Sequence, residues 1–123
     1  MTYELSQRFY FEAAHTLRRK IDAEGSLRIH GHTYHAEVTI AGNPDPESGM
    51  MMDLAFFRQE VDKVREKLDH HFLDEVAGLG PATLENLCAF IYNDLKGALP
   101  NIYCITIKRP ASGDTCRLYP NKA

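Results

Sequence analysis

The sequence predicts an α+β fold: a four-stranded antiparallel sheet with both helices on one face, in the chain order strand, strand, helix, helix, strand, strand. Period-two alternation at both ends of the chain, two apolar stripes at helical spacing in the middle, and turn residues between the segments carry that expectation. At 123 residues with 44% hydrophobic content, the chain is long enough for one domain spanning residues 1–123 and too short for two ordinary ones.

Residues 3–13 alternate as a first strand and residues 33–41 as a second, which Gly42-Asn43-Pro44-Asp45-Pro46 ends. The connection from Thr16 to Ile29 is polar, contains Gly25-Ser26 and is long for a hairpin, so it is expected to lie as a flap over a site. Asp53 is a good helix N-cap, and Leu54, Phe57, Val61, Val64 and Leu68 then form one apolar stripe. Thr83 caps a second helix with the stripe Leu84, Leu87, Cys88, Ile91 and Leu95, which ends near Gly97 and Pro100. Residues 102–109 and 115–119 are the closing strands, joined through Ser112-Gly113-Asp114. A sheet this narrow has exposed edges, and pairing them with other copies into a closed barrel would remove them.

A formal charge of −3 gives no general attraction to nucleic acid or to an anionic membrane. The basic run Arg18-Arg19-Lys20 is either a solvated loop or a lure for an anionic substrate. No apolar run has the length of a membrane span and no charged segment precedes an apolar block at the N-terminus, so a cytoplasmic protein is expected. Cys88, Cys104 and Cys116 are odd in number and lack C-x-x-C spacing; they read as small core or half-buried residues.

Chemistry concentrates in the histidines. His30 and His32 lie two apart, so on a strand they point the same way, with Tyr34, Ala36, Val38 and Ile40 on the same apolar face. His15 follows Phe9, Phe11 and Ala13 in the same phase of the first strand, the partner of the second. Three neutral imidazoles on an inward face would hold zinc and leave its fourth position open, the arrangement of a catalytic site. Any one alone would be an ordinary core or surface histidine, as His35 on the wet face is expected to be.

The chain resembles the 6-pyruvoyltetrahydropterin synthase family, which includes the bacterial 6-carboxytetrahydropterin synthases of queuosine biosynthesis. The resemblance rests on Phe11-Glu12-Ala13-Ala14-His15, His30-Gly31-His32-Thr33-Tyr34, Gly49-Met50-Met51-Met52-Asp53-Leu54, Leu68-Asp69-His70-His71-Phe72-Leu73 and Thr83-Leu84-Glu85-Asn86, in that order. It implies a tunnel fold, in which trimers close a barrel and two trimers stack into a hexamer with sites between subunits. It implies zinc on His15, His30 and His32, a dihydropterin substrate such as 7,8-dihydroneopterin triphosphate, proton transfer by His70 oriented by Asp69, and ligand contacts from Thr83 and Glu85. Without it, Asp69-His70 would read as a helix C-terminus with a dipole-stabilised histidine.

Two positions depart from the family pattern. Ser26 stands where the bacterial enzymes carry a catalytic cysteine, and a thiol titrates near about 8.5 whereas an alkyl hydroxyl is far more basic. Other members place a glutamate three before the second ligand; here that residue is Leu27, with Glu24 close by in the flap. Arg109 stands where the family anchors the pterin's amino group and ring N–H with a glutamate, and arginine offers only donors. Alternating with Tyr103, Ile105 and Ile107, Arg109 either faces the pocket or solubilises the rim. A one-residue insertion also separates Pro81 from Thr83. Three functions fit: a zinc-dependent pterin lyase, a diverged paralogue acting on another, anionic substrate, and a noncatalytic ligand-binding member of the same fold.

Overall fold

The computed structural model describes residues 1–21 and 23–122. Strand β1 (Tyr3–His15) pairs antiparallel with β2 (His30–Gly42), β2 with β3 (Ile102–Arg109) and β3 with β4 (Asp114–Leu118), giving one sheet in the order β1-β2-β3-β4. All thirteen residues of β1 find partners, from Tyr3 opposite Gly42 to His15 opposite His30. The flap holds a short helix, α1 (Ala23–Leu27), and the middle of the chain holds α2 (Leu54–Leu68) and α3 (Leu84–Leu95).

The caps form where the sequence places them. The Asp53 carboxylate accepts from the N–H groups of Ala55 (2.7 Å) and Phe56 (3.3 Å), and the Thr83 hydroxyl accepts from Asn86 N–H (3.1 Å). Asp53→Ala is expected to cost about 1 kcal/mol, within the 0.5–2 usual for a lost N-cap, read as a lower urea midpoint at unchanged slope.

Both helices cover the same face of the sheet. Phe57, Val61, Val64 and Leu68 of α2 and Leu87, Cys88, Ile91 and Leu95 of α3 are buried with Phe11, Tyr34, Val38, Ile40, Ile105 and Ile107 in one core. The alternation continues past the apolar residues, so His15, His30, His32 and Arg109 occupy the core face at the end of the sheet. One expectation shifts. The register slips between Thr39 and Ile40, where Ile102 and Cys104 are the successive partners, so Tyr103 bulges out, 48% exposed, and leaves the phase that Ile105, Ile107 and Arg109 keep.

The polar face carries Glu12, Thr33, His35 and Glu37, and His35 is exposed as expected. Cys88 and Cys104 are buried and Cys116 is partly so. Among the described residues, no helix is long and apolar enough to cross a membrane.

Candidate functional site

Register brings the three histidines together. His15 lies opposite His30, and His32 lies opposite Ala13, so the three rings converge on one face of the β1–β2 pair. One ring nitrogen from each lies within 4.8 Å of the others, and His15 Nε2 and His32 Nε2 are 3.1 Å apart. Tetrahedral zinc with bonds of 2.0–2.1 Å separates its ligand nitrogens by about 3.3–3.4 Å, close to the spacing of the His15–His32 pair.

Electrostatics keep the rings ready for a cation. Burial, then the neighbouring His30, lowers the pKa of His15. Burial, then the Arg109 guanidinium and the other two histidines, pushes His32 down to about 4. Both rings are therefore neutral at pH 7 and present lone pairs. His30 is oriented by its Nδ1, which donates to the Arg28 carbonyl at 2.8 Å and leaves Nε2 for a metal. His15 is 1% exposed and its Nδ1 has no partner of good geometry.

Arg109 faces this centre and not the rim. Its Nη1 is 3.5 Å from His32 Nε2, and its Nη2 donates to Asp114 at 2.8 Å. The hairpin register that sets Arg109 opposite Asp114 makes this pair. The Ser112 hydroxyl also donates to Asp114, which with Arg109 holds that carboxyl below its ordinary pKa. Beside them Tyr34 is fully buried, its hydroxyl unpartnered and pushed up to about 12 by burial. A cavity of about 590 Å³ is lined by Thr83, Glu85, Arg109, Asp114 and Cys116, and by Leu17 at the start of the flap. All three substrate-binding candidates thus share one space.

Ser26 sits on α1, 4% exposed, and its carbonyl accepts from Leu17 N–H at 2.7 Å, which ties the two arms of the flap together. Among the described residues no hydrogen bond joins its hydroxyl to the histidines. Glu24 is 96% exposed and lies 4.0 Å from Arg28, turned to solvent.

Asp69 and His70 form a separate group at the outer edge of β1. His70 N–H donates to the Glu12 carbonyl (2.7 Å), Ala14 N–H to the His71 carbonyl (3.3 Å), and Ala14 bridges to Phe72. Following the helix end, His70 takes φ +59°, a left-handed conformation that costs a non-glycine residue about 1 kcal/mol or more. Its Nδ1 lies 3.0 Å from Asp69, which also accepts from Glu12 N–H (2.9 Å) and lies 3.2 Å from Arg65. His70 lines a second cavity of about 540 Å³ with Glu12, Thr33, His71 and His32 of the triad. No hydrogen bond among the described residues links it to the triad.

The Glu12 N–H, ahead of the opposing effect of burial and the help of His70 and Arg65, lowers the Asp69 pKa. A depressed folded-state pKa means the unfolded chain binds the proton more readily, so this stabilisation is full above the ordinary carboxylate pKa and is lost as pH falls through the folded value. Stability should therefore fall on acidification below about pH 4, and less steeply in Asp69→Asn, as measured by urea midpoints.

Tyr34, Asp114 and the Arg28 carbonyl are parts of the site that motif reading did not single out as such. Tyr34 was visible two residues after His32 on the same face, and Asp114 was visible only as a turn residue.

The family model described as 6-pyruvoyl tetrahydropterin synthase matches residues 4–118. The 6-carboxy-5,6,7,8-tetrahydropterin synthase of Synechocystis sp. is 33% identical over 106 residues, which is 80% of this chain and 80% of the relative. Human 6-pyruvoyl tetrahydrobiopterin synthase is 32% identical over 111 residues, covering 79% of this chain and 77% of that protein. The structure of Caenorhabditis elegans 6-pyruvoyl tetrahydropterin synthase superposes with a TM-score of 0.84 at 27% identity, over 98% of this chain and 97% of the other. The ββααββ sheet is accordingly the tunnel fold, and the chain belongs to the 6-pyruvoyl tetrahydropterin synthase family.

Proposed function

We propose that this chain is a zinc-dependent lyase acting on a dihydropterin, resembling 6-carboxytetrahydropterin synthase and converting 7,8-dihydroneopterin triphosphate to 6-carboxytetrahydropterin. The observation that carries the reading is the convergence of His15, His30 and His32, whose ligand nitrogens lie within 4.8 Å. When bound there, zinc would supply Lewis acidity toward the hydroxyl oxygens of the substrate side chain. His70 would move protons while Asp69 holds its Nδ1, and Thr83 and Glu85 would contact the ring.

Because His70 stands at the outer edge of β1, its pairing with a metal centre belongs between copies, and a hexamer of two trimers would supply it. Light scattering at micromolar concentration is expected to give a hexamer mass; a stable monomer contradicts this arrangement. Zinc-loaded protein incubated with 7,8-dihydroneopterin triphosphate is expected to release triphosphate, and absence of release with full metal occupancy contradicts the lyase reading.

A second reading, a paralogue with an altered substrate or weak pterin activity, is favoured by Arg109, a donor beside His32 in the cavity shared with Thr83 and Glu85. The formal charge of −3 gives no general attraction to nucleic acid or to an anionic membrane, and a cytoplasmic location goes with small-molecule chemistry.

A further inference from the structure

A guanidinium beside a cation site is an electrostatic contradiction unless something negative joins them. Arg109 Nη1 approaches the same atom, His32 Nε2, that faces His15 across 3.1 Å. Asp114 anchors the other end of the guanidinium, and Ser112 anchors Asp114, so the charge is held in place. Asp114 is 44% exposed, where solvent weakens its neutralising effect. The wall is also rich in donors: Arg109 Nε and the Tyr34 hydroxyl are both buried without partners.

Resting on the reading that the triad holds a divalent metal, we propose that Arg109 makes this a coupled metal–carboxylate site. The guanidinium receives a carboxylate group of the ligand, and that anion and the metal each strengthen the other's binding. One negative charge is enough to relieve the repulsion, and the Glu85 carboxylate lining the same cavity disfavours a multiply charged phosphate there. Coupling of this kind is reciprocal: the factor by which the carboxylate raises metal affinity equals the factor by which metal raises carboxylate affinity.

The test is zinc affinity by chelator competition, in wild type, Arg109→Met and Asp114→Asn, alone and with saturating pterin-6-carboxylate or with pterin lacking the carboxylate. Wild type is expected to bind zinc about tenfold tighter with the carboxylated compound and to be unchanged by the other. Arg109→Met is expected to bind zinc about tenfold tighter without any ligand and to lose most of the coupling. Asp114→Asn, which leaves the guanidinium charge unopposed, is expected to bind zinc more weakly. A damaged fold can only lose zinc, so the gain in Arg109→Met separates this role from a structural one. Equal zinc affinity in wild type and Arg109→Met, or undiminished coupling in the variant, overturns the proposal and leaves the lyase reading standing. No zinc binding in any protein overturns both.

Discussion

Replacing His15 by alanine is expected to lower zinc affinity by more than about 100-fold, because loss of a partner that merely orients a ligand already costs 10–100-fold. His15 is the most enclosed member of the triad at 1% exposure, and its Nε2 lies 3.1 Å from His32 Nε2. Two histidines would remain, and water would have to fill the vacated position in a buried wall. Chelator competition on purified protein measures the loss, with His35→Ala as the control. His35 is exposed on the opposite face and should leave affinity unchanged. Equal affinities in His15→Ala and wild type would place the metal elsewhere.

The convergence of the three histidines was legible because it follows the same rule as the core. Phe9, Phe11 and Ala13 fix the inward phase of β1, and a period of two carries that phase to His15; the same arithmetic places His30 and His32 with Tyr34. Asp53 and Thr83 were legible because a cap is a local event over four residues. Contacts set by distant residues were not. Nothing near Asp69 in sequence says that it will accept from Glu12 N–H, and the bulge at Tyr103 arises only when β3 meets β2. The orientation of Arg109 was undecided for the same reason. Alternation allowed a pocket-facing side chain, but the Asp114 partner that fixes it depends on hairpin register.

Ser26→Cys combined with Arg109→Glu is expected to raise turnover of 7,8-dihydroneopterin triphosphate more than either change alone. A positioned general base contributes about 10²–10⁴ in rate, and serine cannot act as an anionic base at neutral pH without further activation. Ser26 already sits on an ordered turn of helix with its carbonyl bonded to Leu17, so a thiol replaces its hydroxyl without rebuilding the flap. Burial at 4% exposure raises a thiol's pKa, and this limits the gain from the first change alone. The second change exchanges a donor for an acceptor beside His32, where an unmatched donor facing a ring N–H costs about 1–3 kcal/mol. Base and anchor act on one bound complex, so their effects should compound. Triphosphate release under saturating zinc measures all four proteins. A wild-type rate equal to that of the double variant would mean that neither Ser26 nor Arg109 limits pterin chemistry, and would remove the ground for treating the chain as a diverged paralogue.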